Sequence, residues 1–113
     1  KSMQQRRVVF TLGVTYDTPY AKLREIPDLI KRLVESVEGV TFGRAHFSAY
    51  GAYSLNFEVV YFVLSSDYDQ YMELNQQINF KIKEAFERLG VEFAFPTQSI
   101  LLEGTPSESK LKG

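Results

Sequence analysis

Apolar residues alternate with others near the start of the chain. From residue 8 to 15, every second position is apolar, namely Val8, Phe10, Leu12 and Val14. Because successive side chains of a strand point to opposite faces, this period of two predicts a first strand with one face toward a core.

A helical pattern follows, with apolar residues three and four positions apart. Thr18 and Pro19 predict an N-cap and a first helical residue. Pro27 would collide with the carbonyl four residues before it, so we expect a short turn and then the main helix from about Glu25. Gly39 is a suitable stop. The apolar stripe consists of Leu23, Ile26, Leu29, Ile30, Leu33, Val34 and Val37.

Two further strands, at residues 40–50 and 54–64, are predicted to form a hairpin around Gly51. The second of them is apolar on both faces toward its end, which suggests that something covers the face turned away from the helices. Gly43, alone in the first of them, indicates a bulge or a close backbone approach.

A second helix is predicted after Ser66, which forms a weak capping-box signal with Asp69, and Gly90 ends it. Val91 to Phe95 alternate as a short last strand, which Pro96 breaks or confines to a sheet edge. The helix's apolar stripe consists of Tyr71, Leu74, Ile78, Ile82, Ala85, Phe86 and Leu89.

The predicted order is β-α-β-β-α-β. Helical crossovers between strands of one sheet make this an α+β, ferredoxin-like sandwich, with an antiparallel-type sheet and both helices on one face. Burial is expected for Ile30, Leu33, Phe57, Val59, Ile78 and Ile82. We assign residues 1–5 to an extension or cloning remnant, 6–102 to the domain and 103–113 to a flexible tail.

Composition narrows the possible chemistry. The 113 residues suit one domain, the formal net charge is −1 and there is no cysteine. The longest purely apolar run, Val59 to Leu64, is far below the ~20 residues of a membrane-spanning helix. His46, the single histidine, has no second histidine or cysteine as a partner, and Asp17, Glu25 and Asp28 are explained by a turn and a helix start. We therefore predict no catalytic residue, metal ligand or cofactor site.

Sixteen phenylalanines and tyrosines, nine and seven respectively, raise the possibility of RNA binding by a ferredoxin-like sheet. The glycine- and basic-rich motif of that class is absent and the net charge is unfavourable, so no nucleic-acid partner is predicted. Most of these aromatic residues are expected in the core.

Three segments of the chain stand out, RRVVFTLGVTYDTPY at 6–20, SLNFEV at 54–59 and GVEFAFPTQ at 90–98. Together they resemble the C-terminal cytoplasmic domain of the small-conductance mechanosensitive channel (MscS) family. The resemblance implies a non-enzymatic domain in a homoheptameric channel on the cytoplasmic side of the bacterial inner membrane. There it would form the lower part of a hollow vestibule that filters solutes, while a tension-gated pore releases solutes on hypo-osmotic shock. Membrane contact would occur only through segments absent from this chain.

The resemblance also points to subunit contacts near Phe62, Phe93, Phe95 and Pro96. The chain departs from the family pattern at residues 103–108. In well-known members a terminal strand closes a small barrel, and these residues do not predict such a strand. A regulatory domain that binds a small ligand between subunits has the same element order and stays an alternative.

Overall fold

The sheet and helices follow the predicted order. The computed structural model describes residues 5–94. The sheet is antiparallel throughout, in the order β1-β3-β2, and side chains of both helices join one of its faces in a single core. The α+β prediction is confirmed. The elements are β1 (Arg6–Val14), α1 (Tyr20–Glu35), β2 (Val40–Tyr50), β3 (Leu55–Val63) and α2 (Tyr68–Leu89).

The predicted fourth strand is represented by a single antiparallel bridge between Val14 and Phe93. Two backbone bonds flank it, from Ala94 N–H to the Gly13 carbonyl at 2.9 Å and from Thr15 N–H to the Glu92 carbonyl at 3.1 Å. The bridge lies on the free edge of β1, where the ferredoxin-like topology places its last strand. Phe95 and Pro96 lie outside the described residues.

The core forms as the two periodicities predict. Most of the fully buried side chains come from one face of β3 and from the inner stripes of both helices, and Val14 of β1 and Val60 on the other face of β3 are fully buried as well. Val8, Phe10 and Leu12 of β1 pack against this core while Val9 does not, so the alternation read from the sequence is confirmed. All six residues expected to be buried are buried: Ile30, Leu33, Phe57, Val59, Ile78 and Ile82.

Helix α1 begins earlier than predicted. It starts at Tyr20 and runs through Pro27, and Pro19 occupies the N-cap position expected for Thr18. The Thr18 hydroxyl donates instead to the Thr15 carbonyl at 2.8 Å. The prediction of a start near Glu25 was wrong because Ile26, fully buried beside the proline, continues the apolar stripe into the core. Packing of that stripe therefore outweighs the ~3 kcal/mol that an interior proline costs.

Three other helix-end predictions can be compared with the structure. Helix α1 ends at Glu35, before Gly39, which has φ +95° and lies in the turn into β2. The N-cap of α2 is Asp67, not Ser66, because the Asp67 carboxylate accepts from the Asp69 N–H at 3.1 Å. Gly90 ends α2 with φ +82°, as predicted, since a left-handed cap favours glycine.

Strand β2 contains two irregularities in its pairing with β3, between Phe42 and Arg44 and between Phe47 and Ala49. At the first, a Cβ on Gly43 would come within 2.8 Å of the Val60 carbonyl oxygen. The bulge and the close backbone approach expected at Gly43 are both confirmed.

Candidate interaction site

The two faces of β3 have different surroundings. Phe57, Val59 and Tyr61 point into the core and have no exposed surface. Val60 and Phe62 point to the opposite face, on which no described helix packs; we call it the open face. Val60 is nevertheless completely buried, and it pairs across the strands with Val9 on β1 and Arg44 on β2.

An apolar group occupies one end of this open face. We call Val9, Val60, Phe62 and Leu64 the open-face patch. Val9 is 44% exposed and Leu64 38%, while Phe62 is half-buried. The strand register places Phe62 beside Arg7 on β1. The sequence predicted that Val60, Phe62 and Leu64 share this face, and the strand register confirms it for Val60 and Phe62, while Leu64 follows the last residue of β3. The structure adds Val9 as an exposed neighbour.

The charged groups of the open face are mainly basic. Arg7 is exposed, and the Arg44 guanidinium lies 3.6 Å from the Glu58 carboxylate. Exposed His46 pairs with Glu58 across the strands. Two arginines thus stand against one carboxylate around the open-face patch, which suits an acidic partner surface.

Phe93, the second predicted interface residue, lies elsewhere. Its ring stacks on Phe86 of α2 with a centroid separation of 5.0 Å and an interplanar angle of 6°. It bridges Val14 at the end of β1, whereas Phe62 pairs with Arg7 near the beginning of that strand. The structure therefore does not bring Phe62 and Phe93 together, and Phe93 already has a partner within its own chain.

A second apolar surface, which sequence reasoning missed, lies on the outer side of α2. Phe80 is 68% exposed and Met72 is 43% exposed. We call these two residues, with Asp69, Glu73 and Gln76, the α2 patch. They line a depression of about 640 Å³, together with Asn75 and Asn79. The available signal was the helical spacing, since Met72 and Phe80 are apolar but fall outside the stripe that faces the core.

A third exposed group is aromatic and lies where the β2–β3 hairpin turns. Tyr50 is 76% exposed, and its ring contacts Phe47 edge to face at 5.2 Å. The hydroxyl of Tyr16, from the loop after β1, donates to the Gly51 carbonyl in the same turn. Tyr16 and Tyr53 are both about half exposed. The Tyr16 hydrogen bond therefore holds the loop after β1 against the β2–β3 turn.

The Tyr61 hydroxyl and the Arg6 guanidinium, two polar groups near the core, contact other side chains of the chain. The Tyr61 hydroxyl donates to Asn75 Oδ1 at 2.6 Å, and its ring meets Phe10 edge to face at 6.1 Å. Burial, and secondarily the nearby Tyr71, raises the pKa of Tyr61 to about 12. The Arg6 guanidinium lies 4.8 Å from the centre of the Tyr71 ring, a cation–π contact that closes this end of the core.

No group of side chains that could hold a metal ion is found in the described part of the chain. Within residues 5–94, no three histidine, cysteine or acidic side chains are grouped to hold a metal ion. A cleft of about 380 Å³ runs between the helices, with Leu29, Leu33 and Ala85 among its apolar lining and Glu25 and Arg88 among its charged lining. This cleft is the site that we assign to the small-ligand alternative.

The fold is a two-layer α+β domain with apolar surface groups, and comparison with known proteins gives the family. The family described as "Mechanosensitive ion channel MscS, C-terminal" matches residues 8–93. The chain belongs to the MscS family of mechanosensitive ion channels and represents its C-terminal domain. The resemblance noted from the sequence is thus confirmed.

Individual relatives support the family assignment. The chain is 44% identical over 100 residues to "Small-conductance mechanosensitive channel MscMJ" of Methanocaldococcus jannaschii, an alignment covering 88% of this chain and 29% of that protein. It is 38% identical over 108 residues to "Large-conductance mechanosensitive channel MscMJLR" of the same organism, covering 90% and 30%. The chain therefore spans less than a third of either relative.

Solved structures share the fold. Helicobacter pylori MscS in the closed state aligns with a TM-score of 0.61 at 20% identity, over 89% of this chain and 39% of that one. Arabidopsis thaliana MSL1 A320V aligns with a TM-score of 0.72 at 13% identity, over 82% and 36%. Neither helix of the described residues is long and apolar enough to cross a membrane.

Proposed function

We propose that this chain is the cytoplasmic vestibule domain of a tension-gated channel that releases solutes on hypo-osmotic shock. In the proposal it helps to assemble a homoheptamer on the cytoplasmic side of the cell membrane and contributes to the filtering of solutes. It performs no catalysis and needs no cofactor. The observation that carries the proposal is the family match across residues 8–93, which takes in nearly the whole described domain.

The surface supports a role in assembly. An apolar patch on an uncovered sheet face, flanked by charge, is typical of a protein–protein contact. Val9 and Leu64 are exposed in the single chain and would gain ~25 cal/mol for each Å² of apolar surface buried. We assign Phe62 to the subunit interface on this basis. Phe93, Phe95 and Pro96 stay predicted interface residues, and the last two lie outside the described residues.

The isolated domain is expected to associate weakly. In a full channel, the other domains hold neighbouring copies at high effective concentration, and an excised chain lacks that advantage. We therefore expect a monomer or a weak oligomer in dilute solution. Sedimentation velocity across a range of concentrations would measure this, and a tight heptamer at low concentration would contradict it.

The decisive experiment uses the full-length parent protein in cells that lack their own mechanosensitive channels. Patch-clamp recording should show a current opened by membrane tension, and the cells should survive hypo-osmotic shock. Phe62→Glu should weaken assembly or alter gating while membrane insertion stays intact, because it places a carboxylate within the open-face patch. Tyr20→Glu, at an exposed site on α1, is the matched control and should leave both properties unchanged.

A parent protein that forms a folded membrane oligomer but gives neither current nor survival would refute the channel proposal. The ligand-binding alternative would then move ahead, with the cleft between the helices as its site. A rise in melting temperature with a small effector, lost on substitution of Leu29 by Arg, would support that alternative.

A further inference from the structure

The open-face patch and the α2 patch lie on opposite sides of the domain. The open-face patch is on the sheet face that the helices leave uncovered, whereas Met72 and Phe80 lie on the side of α2 away from its buried residues Leu74, Ile78, Ile82 and Phe86. Each copy of the chain therefore carries one apolar surface on its sheet side and another on its helix side.

The two surfaces also carry opposite charge. Among the described residues, Arg7 and Arg44 exceed the single Glu58 on the open face. The α2 patch contains Asp69 and Glu73 and no basic residue, and the nearby Lys83 is already paired with Glu87 at 3.3 Å. Opposite potentials of this kind fix the orientation of two apolar surfaces that meet.

We infer that the α2 patch of one copy docks on the open-face patch of the next. The helix side of one subunit then faces the sheet side of its neighbour, with Phe80 and Met72 against Val9 and Leu64. The inference rests on the proposed assembly role and names the surface that each subunit offers. A ring with more than two identical members requires such a heterologous contact, in which each subunit uses two different surfaces. The aromatic group at the hairpin turn fits this role less well, because within residues 5–94 we find no complementary surface on the opposite side of the domain.

Cysteine cross-linking in the full-length parent protein tests the pairing, since this chain contributes no cysteine of its own. A subunit carrying both Val9→Cys and Phe80→Cys, treated with a short bifunctional maleimide, should give a ladder of dimers, trimers and larger species. Each single variant should give no product above that of the unsubstituted parent. Co-expression of the two single variants should stop at dimers, because each chain then has one reactive group. Both substituted positions are exposed, so folding should be retained.

The matched control replaces the α2 position by one on α1. Val9→Cys with Arg32→Cys, at an exposed site of the same helix layer, should give no ladder. A second variant tests the charges: Arg7→Glu should lower the cross-linked fraction several-fold, and Glu73→Arg added to it should restore much of the loss.

Three outcomes would overturn the inference. They are an intact oligomer without a ladder, a ladder equally strong with Arg32→Cys, or cross-linking of Val9→Cys with itself. Native mass measurement and tension-gated current, recorded on the same preparation, separate this result from the proposed function. A channel that conducts as an oligomer but gives no ladder refutes the docking alone, whereas a parent that forms no oligomer refutes both.

Discussion

The two faces of β3 show how one strand can serve two environments. On the core face, Phe57, Val59 and Tyr61 are fully buried under both helices. On the open face, burial falls from complete at Val60 to partial at Phe62, and Leu64 beyond the strand is exposed. Apolar residues alternate with others only over the first part of the strand. The difference teaches that one apolar run can supply two faces, one packed within the chain and one that we propose for contact with a partner.

The largest expected effect is the loss of a core side chain. Phe57→Ala should lower the free energy of unfolding by about 3–5 kcal/mol, because it removes buried surface and leaves a cavity among packed neighbours. Phe80→Ala is the control and should change stability by less than about 0.5 kcal/mol, since Phe80 is 68% exposed. Urea unfolding of both variants provides the measurement. Equal losses would show that the two environments do not differ as described.

A smaller effect is expected at Gly43, where the backbones of β2 and β3 approach closely. Gly43→Ala should cost about 1–3 kcal/mol, because the new Cβ would lie 2.8 Å from the Val60 carbonyl oxygen and 3.2 Å from the Phe62 ring. Thr11→Ala, at an exposed position of β1, should be nearly neutral. An unchanged denaturation midpoint for Gly43→Ala would contradict the close approach.

On the core face, the buried hydroxyl can be removed alone. Tyr61→Phe should cost about 1 kcal/mol at neutral pH, since Asn75 loses its donor at 2.6 Å. Tyr53→Phe, an exposed tyrosine, should have no measurable effect. Differential scanning calorimetry on the two variants would show a lower melting temperature only for Tyr61→Phe.

The same tyrosine predicts a pH dependence. Its pKa is about 12 in the folded chain and 10.0 when unperturbed, so above pH 10 the unfolded chain releases this proton first. Stability from Tyr61 is therefore complete below pH 10 and is lost as the pH rises through 12. Tyr61→Phe should reduce the slope of stability against pH in that window, and Tyr53→Phe should not. Parallel slopes for Tyr61→Phe and the unsubstituted chain would rule this out.

The smallest effect is expected for the ion pair on the open face. Arg44 and Glu58 are 3.6 Å apart and nearly half exposed, so their coupling should be below about 1 kcal/mol. A double-mutant cycle with Arg44→Ala and Glu58→Ala would measure it, and added salt should reduce it further. A coupling of several kcal/mol that resists salt would mean that the open face is covered in the single chain.

Much of the fold could be predicted because local periodicity is a short-range property. The alternation of β1, the two helical stripes, the hairpin and the stop at Gly90 were all readable, and the family was recognisable from three segments. The start of α1 could not be predicted from the sequence. The effect of Pro27 depends on whether Ile26 gains enough packing, and that is decided by a sheet distant in sequence.

The candidate site divides in the same way. Phe62 could be assigned to the uncovered face from alternation alone. Three other features could not be predicted, because each depends on which element lies alongside. They are the burial of Val60, the exposure of Met72 and Phe80, and the packing of Phe93 on Phe86.

By itself, the sequence determined which elements form, in which order, and which side of each faces a core, since these follow from spacings of two and of three to four residues. It also determined the family. Only the tertiary structure decided that two oppositely charged apolar surfaces lie on opposite sides of one small domain. The arrangement of a sheet beneath two helices sets those positions, and residues as far apart as Val9 and Phe80 acquire a spatial relation only when the chain has folded.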